Sequence, residues 1–306
     1  MTVRLGTRGS ALAMAQSRTV AEALTATTGE RVELVEIVTD GDRSSKPVVQ
    51  LGVGVFVSAL REALHAKEID VAVHSYKDLP TAPADGLVIA AVPERADPRD
   101  ALVSRGGRPL ADLPPGSRVG TGSPRRISQL LALGHGLVCV PVRGNVDTRL
   151  RRVADSDLDA VVVAAAGLAR LGRSDEATEL LDPMLMLPAP AQGALAVECR
   201  AGDTGLVELL GRLDDDLSRA RVTAERALLA TLEAGCSAPV AALADVSETE
   251  DGAWEIYLRG AVLSLDGTDA VRLSGTGTLT DATGVGTRLA AELLAVGADH
   301  ILGVPE

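Results

Sequence analysis

The chain has 306 residues, of which 46% are hydrophobic and only 1% aromatic, and its formal net charge is −12 at pH 7. This length can bury a sizeable core and predicts two or three domains. No apolar run reaches the ~18 residues that a membrane span needs, and the N-terminus lacks the apolar core of a signal peptide. We therefore expect a cytoplasmic protein that contacts no membrane. The scarcity of aromatic side chains argues against a base-stacking surface for nucleic acid.

Positive charge is concentrated in one segment. Residues 118–152 hold seven arginines and a single acid, Asp147, which gives this window a net charge of +6 in an acidic protein. A nucleic-acid surface normally spreads its basic residues over a whole face. The concentration therefore favours a local anionic ligand.

The first 200 residues alternate short apolar runs with helical patterns. The runs VRLGT, VELVEIV, IDVAVH and LVIAAV form a first set, with helices from Ser10 and near residues 56–66. A second set follows with RVGTG, LVCVPV and LDAVVVAAAG, and with helices from Ser123 and Asn145. This alternation predicts an α/β protein with parallel-rich sheets.

Two crossings that contain prolines, residues 93–98 and 187–193, bracket the second set and resemble a pair of hinge strands between two lobes. From Asp214 the pattern changes to a long helix that stops at Gly235, three strand patterns and a helix near 283–298, which predict a small α+β domain. The predicted domains are a first lobe of residues 1–95 plus 193–213, a second lobe of residues 98–188, and a C-terminal domain of residues 215–306.

Three helix starts follow predicted strands and carry arginine. Arg8 precedes Ser10, Arg143 precedes Asn145, and Ser123 precedes Pro124, with each Ser or Asn placed as an N-cap. Helix N-termini already carry partial positive charge, so Arg125 and Arg126 in a first turn need a negative partner. Any single arginine is more simply explained by solvent or by a surface acid. Three coincident turns, with Arg149 one helical turn beyond Asn145, favour a cleft for a ligand with several carboxylates or phosphates.

The stretch HSYKDLP closes the buried strand IDVAV with charged residues. Asp78, beside Lys77, is placed where a carboxylate stays ionised and can hold a cation or transfer a proton. The alternative is an ordinary turn aspartate before Leu79 and Pro80. For His74 we favour a core histidine that ends the strand.

Three cysteines, Cys139, Cys199 and Cys236, lie far apart and show no C-x-x-C spacing, which predicts neither a disulfide framework nor a metal site. Cys139 and Cys199 fall in strand patterns and are expected to be structural. Cys236 follows a helix stop, where partial negative charge disfavours a thiolate but not a neutral thioether. From the residues alone, a structural and a functional Cys236 remain equally open.

TRGSALAMAQ, HSYKDLP, GTGSPRR, RGNVDTRL, LPAPAQGALAVECR and EAGCSAPV, in this order, resemble the signatures of the hydroxymethylbilane synthase (porphobilinogen deaminase) family. The resemblance implies an enzyme that condenses four porphobilinogen molecules into a linear tetrapyrrole and releases ammonia each time. It also implies a dipyrromethane cofactor held as a thioether on Cys236, two lobes like periplasmic binding proteins, and a monomer.

By position, the resemblance makes Asp78 the catalytic residue. The residues implied to bind the cofactor, besides Cys236 and Asp78, are Ser75, Lys77, Ser123, Arg125 and Arg126. The residues implied to bind substrate are Arg8, Ser10, Gln16, Thr121, Arg143, Gly144, Arg149, Arg170 and Gln192.

The chain departs from the family pattern at three positions. Val53 stands where many members have a loop lysine, Ser58 stands where a lysine is common, and Gly122 replaces a frequent serine. Arg43 or Lys46 is therefore expected to supply the positive charge of this loop, unless the loop closes without it.

Two other functions fit parts of the sequence. A two-lobed carrier of a polyanion would share the cleft but needs neither Asp78 nor Cys236. A phosphoryl-transfer enzyme would need a P-loop lysine motif and a metal-binding carboxylate cluster, which the sequence lacks.

Overall fold

The computed structural model describes residues 2–38, 55–233 and 238–303. Its strands are β1 (Thr2–Thr7), β2 (Arg31–Glu36), β3 (Val71–Ser75), β4 (Leu87–Ala91), β5 (Asp100–Ser104), β6 (Arg118–Gly120), β7 (Val138–Val140), β8 (Ala160–Ala164), β9 (Glu179–Leu180), β10 (Leu195–Arg200), β11 (Val240–Glu248), β12 (Trp254–Leu263) and β13 (Ala270–Thr278). Its helices are α1 (Ala11–Thr28), α2 (Val55–His65), α3 (Pro124–Ala132), α4 (Val146–Ala154), α5 (Ala165–Arg170), α6 (Thr204–Gly211), α7 (Asp216–Thr231), α8 (Ala282–Ala295) and α9 (Ala298–Leu302).

The first sheet has the strand order β2-β1-β3-β10-β4. β1 lies parallel to both β2 and β3, whereas β10 runs antiparallel to β3 and β4, with Leu195 opposite Ser75. Helices α1 and α6 cover one face and α2 covers the other. Because helices cover both faces, the central strand β3 is buried on both sides, whereas the outer strand β2 keeps exposed residues such as Glu33.

The second sheet repeats this arrangement with the order β7-β6-β8-β5-β9. β6 is parallel to β7 and β8, and β5 is antiparallel to β8 and β9. Helix α3 packs on one face and α4 on the other. The predicted α/β class with parallel-rich sheets is confirmed, although the sequence patterns did not predict β5 or β9.

The C-terminal elements form the antiparallel sheet β11-β12-β13, with α7 and α8 packed on one face. Leu187, which comes from the second crossing, packs on the other face against residues such as Leu243 and Leu263. The two helices approach closely at Gly286, where an added Cβ would lie 2.2 Å from the Ala224 carbonyl oxygen. The predicted α+β character of this region is confirmed.

Helix α7 is shorter at both ends than the predicted helix. It begins at Asp216 because Asp215 precedes it as a cap, with its carboxylate accepting the Ser218 N–H at 2.7 Å. It ends at Thr231, and Glu233 adopts a left-handed φ of 50° that cannot continue a helix. The stop predicted at Gly235 lies outside the described residues.

The chain divides into two compact units, residues 1–95 with 194–219 and residues 96–193 with 220–306. The first unit holds the first sheet. The second unit holds both the second sheet and the C-terminal sheet. The division into two lobes and a separate C-terminal domain stays a prediction. Among the described helices, none is both long enough and apolar enough to cross a membrane.

Candidate active site

Two predicted segments meet at one edge of the first sheet, which we call the aspartate edge (residues 8–10 and 75–78). β1 and β3 are parallel neighbours, so the segments that follow them leave the sheet at the same edge. Ser10 caps α1, and its hydroxyl accepts the Ala13 N–H at 3.3 Å. Gln16 on α1 donates through Nε2 to the Ser75 hydroxyl at 2.9 Å and thereby joins the two segments.

Asp78 is exposed on a short 3₁₀ turn, Tyr76–Asp78, which is anchored at both ends. At its start, the Tyr76 N–H donates to the Ala194 carbonyl at 3.1 Å. At its end, Leu79 is buried against Val57 of α2. The carboxylate therefore faces solvent from a turn whose backbone is fixed.

The second unit presents three strand-to-helix turns at one edge of its sheet, which we call the arginine edge (residues 121–126, 143–149 and 165–170). β6, β7 and β8 are adjacent and parallel, so the turns that follow them share this edge. Two of the three predicted helix starts lie here, while the turn of Arg8 belongs to the first unit. That all three line one cleft stays a prediction.

Arg125 and Arg126, in the first turn of α3, are 3% and 5% exposed and share one buried carboxylate, that of Asp100. Arg125 Nη2 lies 2.8 Å from Asp100 Oδ2, and Arg126 Nη2 lies 2.6 Å from Oδ1. Backbone carbonyls accept further N–H groups, with Leu187 O 2.5 Å from Arg125 Nη1 and Val162 O 3.0 Å from Arg126 Nη1. Only the Arg125 Nε is buried without a hydrogen-bond partner among the described residues of this cluster.

This cluster corrects part of the sequence interpretation. The negative partner that the two arginines need is supplied first by the protein, because Asp100 on β5 lies between them. Burial alone raises the pKa of the Asp100 carboxyl, but the two guanidinium groups outweigh it and hold this pKa well below its usual range. Two guanidinium charges and one carboxylate leave a net charge of +1. An anionic ligand would therefore neutralise only the remaining charge of +1, because Asp100 already neutralises the other.

The second crossing is fixed to the same cluster through Gln192, which is fully buried. Its Nε2 donates to Asp100 Oδ1 at 2.8 Å and to the Pro98 carbonyl at 2.7 Å. The next residue, Gly193, has a φ of 89°, and an added Cβ would lie 2.4 Å from the Ala96 carbonyl oxygen. Only glycine fits there, since any side chain would push the two crossings apart.

Arg170 ends the short helix that follows β8. Its Nη2 donates to the Gly193 carbonyl at 2.6 Å. Burial lowers the pKa of this guanidinium to about 10, and no carboxylate among the described residues forms an ion pair with it. A largely desolvated cation of this kind favours an anionic ligand.

The turn after β7 holds the remaining arginines. Asn145 caps α4, and its side-chain oxygen accepts the Thr148 N–H at 2.9 Å, as the sequence predicts. Arg149 Nε donates to the Gly144 carbonyl at 3.0 Å, and Arg143 is exposed.

The turn after β6 differs from the prediction in one respect. Ser123 occupies the N-cap position of α3 and Pro124 is the first helical residue, but the Ser123 hydroxyl makes no cap hydrogen bond. The buried Thr121 hydroxyl accepts the Ser123 N–H at 3.2 Å. At Gly122 an added Cβ would lie 2.8 Å from the Val142 carbonyl oxygen, so a serine would require this turn to shift.

Several predicted residues lie outside the described residues, namely Cys236, Val53, Arg43 and Lys46. Ser58 is exposed on α2. Cys199 is buried, and burial raises the pKa of its thiol to about 11. Burial also raises the pKa of the half-buried Cys139 thiol. A raised pKa keeps each thiol protonated and unreactive, which fits the structural cysteines that the sequence predicts.

Two family models match the chain. The model described as porphobilinogen deaminase, dipyromethane cofactor binding domain, matches residues 3–208, and the model described as porphobilinogen deaminase, C-terminal domain, matches residues 219–295. Together they cover most of the described residues of both units.

Curated relatives are similar over nearly their full length. The porphobilinogen deaminase of Mycobacterium tuberculosis strain H37Rv is 60% identical over 304 residues, which are 98% of each chain. The porphobilinogen deaminase of Mycobacterium marinum is 59% identical over 304 residues, which are 98% of this chain and 96% of the relative.

Solved structures show a more distant likeness. The methionine-binding protein MetQ aligns with a TM-score of 0.46 at 14% identity, over 69% of this chain and 89% of that chain. A periplasmic substrate-binding protein of an ABC transporter from Coxiella burnetii aligns with a TM-score of 0.44 at 15% identity, over 69% and 91%.

Proposed function

This chain belongs to the porphobilinogen deaminase family, and on that premise we propose that Asp78 carries its chemistry and that the arginine edge binds the carboxylates of its pyrrole chain. The 60% identity to a curated porphobilinogen deaminase over 98% of the chain is the observation on which the function rests. The geometry of the two edges supports the roles of individual residues.

The enzyme joins four porphobilinogen molecules head to tail into hydroxymethylbilane, and it builds this product on a dipyrromethane cofactor. At each addition, the bond between the aminomethyl carbon and nitrogen breaks and a carbon–carbon bond to the chain forms. The nitrogen leaves as ammonia, and the chain's terminal pyrrole carbon, which attacks the methylene carbon, loses its proton. Each pyrrole bears an acetate and a propionate, which are ionised at neutral pH, so negative charge grows with every addition.

Asp78 suits the charge changes at the reacting carbon. Its carboxylate is exposed on an anchored turn, where it can accept hydrogen bonds from pyrrole N–H groups. As ammonia departs, the substrate becomes a cation, and a fixed negative charge beside it lowers the energy of that state. The same carboxyl group can pass a proton to the departing amine. Lys77, its half-buried neighbour, supplies positive charge for a ligand carboxylate.

The arginine edge fits a ligand with several carboxylates. The cluster of Arg125, Arg126 and Asp100 has a net charge of +1 and one unpartnered buried N–H group, and Arg170 adds a largely buried cation. Arg143 lies at the same edge and is exposed. These groups would hold the carboxylates of the cofactor and of the growing chain.

The cofactor, when bound, supplies the pyrrole end to which the first substrate is joined. We assign its attachment to Cys236, which follows α7, and the carboxylate contacts to Ser123, Arg125, Arg126 and Lys77. Ser123 fits this role because its hydroxyl makes no cap bond to its own helix. Ser75 and Gln16 bond to each other beside Asp78 and would orient the ligand rather than neutralise it.

The remaining substrate contacts are assigned from their places at the two edges. They are Arg8, Ser10, Thr121, Gly144, Arg149 and Gln192. We further propose a cytoplasmic monomer that acts on a small molecule and binds neither nucleic acid nor membrane.

The stoichiometry of the reaction tests this function. The purified protein is incubated with porphobilinogen, and ammonia and linear tetrapyrrole are measured over time. We expect four molecules of ammonia for each tetrapyrrole released. Binding of porphobilinogen without release of ammonia would instead identify a carrier of anionic pyrroles.

A further inference from the structure

A second buried ionic cluster lies in the first unit, and none of the roles above uses it. Glu198 on β10 is 1% exposed, and both its oxygens are engaged. Arg61 Nη2 lies 2.9 Å from Oε1, and Arg61 Nε lies 3.1 Å from both Oε1 and Oε2. His74 Nε2 lies 3.1 Å from Oε2, and His74 is itself buried.

The carboxylate is held in its charged form. Burial raises the pKa of Glu198, but the hydrogen bonds from His74 and Arg61 more than offset this, and the pKa lies below its ordinary value. Buried ion pairs can often be replaced by apolar side chains of similar volume without loss of stability. Stability alone therefore does not explain why three polar groups occupy this place among buried apolar residues of α2, β3 and β10.

The cluster lies beside the turn that presents Asp78. His74 belongs to the end of β3, directly before Ser75 and the Tyr76–Asp78 turn. On α2, Arg61 comes one helical turn after Val57, and Val57 packs against Leu79 at the other end of the turn. The cluster thus fastens α2 to β3 and β10, the same three elements that anchor the turn.

We propose that Glu198 is a positioning residue for Asp78, because its bonds to Arg61 and His74 hold the end of β3 in place against α2. This inference rests on the proposed role of Asp78. It adds Glu198, Arg61 and His74 as residues that affect turnover without touching the substrate.

The matched control lies at the opposite end of β3. Asp70 directly precedes this strand and bonds to Arg4 Nη2 at 2.7 Å and to Arg200 Nη2 at 3.1 Å. Asp70 therefore binds two arginines of the same sheet. This ionic cluster lies at the end of β3 that is far from Asp78. Asp70→Asn should weaken the unit without changing the Asp78 turn.

The test compares Glu198→Gln with Asp70→Asn in the full chain carrying its cofactor. Intact mass first gives the fraction of each protein that carries the cofactor, and kcat is expressed per loaded molecule. Since displacements of about 1 Å in a reacting group can cost about 100-fold, we expect Glu198→Gln to lower kcat at least about tenfold and to change KM no more than about twofold. Asp70→Asn, whose pair with Arg4 is more exposed, should lower the melting temperature less than Glu198→Gln and keep kcat within about twofold of wild type.

Two results would overturn the inference: a Glu198→Gln kcat close to that of wild type, or equal losses of kcat in both variants. If Glu198→Gln does not fold, His74→Asn replaces it, since the pair of Arg61 and Glu198 remains intact there, and the same criteria apply. A wild-type protein that releases no ammonia from porphobilinogen would count against the proposed function instead. The two failures are therefore distinguishable.

Discussion

Asp78 and Asp100 are the same side chain in opposite settings. Asp78 is exposed on a short turn, whereas Asp100 is fully buried between two guanidinium groups and the Gln192 amide. The Asp78 carboxylate is available to a ligand, whereas the Asp100 carboxylate is fully engaged in bonds within the protein. Asp78→Asn should therefore lower activity without lowering stability, whereas Asp100→Asn should mainly lower stability.

Asp78→Asn should abolish condensation and leave the fold intact. The change removes a negative charge and a proton donor together, and we expect kcat to fall by at least about 1,000-fold. Asp78 is exposed, so the melting temperature should not change. Steady-state rates of ammonia release measure the effect, with Asp85→Asn, another exposed aspartate after β3, as the control. An Asp78→Asn enzyme within a few fold of wild type would contradict the assigned role.

Asp100→Asn should mainly destabilise the protein. It leaves the guanidinium groups of Arg125 and Arg126 buried without a counter-charge, which costs about 3–5 kcal/mol. Urea unfolding measures this loss. The control is Asp157→Asn, which breaks an exposed pair with Arg152 and should cost no more than about 1 kcal/mol. Equal losses in the two variants would show that Asp100 does not balance the buried charges.

The sequence alone singles out Asp78 as a candidate residue, but it does not reveal that Asp100 pairs with the two buried arginines. Asp78 could be recognised because a charged cluster interrupts an apolar strand pattern within seven adjacent residues. Asp100 could not be recognised as the partner of Arg125, because 25 residues separate the two and only the antiparallel β5 brings them together. An acid at the head of the apolar run ALV was the one available signal.

At the scale of elements, two helix starts on the arginine edge follow the same sequence rule but differ in structure. Asn145 bonds to the backbone of α4, whereas the Ser123 hydroxyl makes no bond to α3. A cap residue that does not bond to its own helix is available to a ligand. The sequence predicted both N-cap positions, but not which of the two side chains makes the cap hydrogen bond.

These two positions give a paired prediction. Asn145→Ala should lower the free energy of unfolding by about 1 kcal/mol, because an N–H of α4 loses its partner. Ser123→Ala should change it by no more than about 0.5 kcal/mol but should raise KM for porphobilinogen several fold. Denaturant unfolding and steady-state kinetics on both variants measure this. A Ser123→Ala variant with unchanged KM would remove Ser123 from the binding residues.

Strand and helix patterns were most informative where an element is long or capped, as in α1 and β12. The antiparallel strand β9 was missed because two residues carry too little periodicity to predict a strand, and β5 was missed because Asp100 and Ser104 leave it an apolar run of only three residues. The end of α7 was placed too late because Gly235 is the obvious stop, whereas Glu233 already has a left-handed backbone.

At the scale of the whole molecule, two sheets share one strand order, and each places its functional turns at the ends of parallel strands. The order β2-β1-β3-β10-β4 matches β7-β6-β8-β5-β9 position by position, with three parallel strands followed by an antiparallel one. The first presents a carboxylate and the second presents cations. In the proposed function, the same architecture serves proton transfer in the first unit and binding of a polyanion in the second.

The most direct test of the central claim is the intact mass of the purified protein and of Cys236→Ser. If this chain builds tetrapyrroles on a cofactor attached to Cys236, the wild-type protein will exceed its sequence mass by two pyrrole units, and peptide mapping will place the addition on Cys236. The Cys236→Ser protein will have its sequence mass and no turnover. A wild-type protein at its bare sequence mass that still converts porphobilinogen would contradict the account.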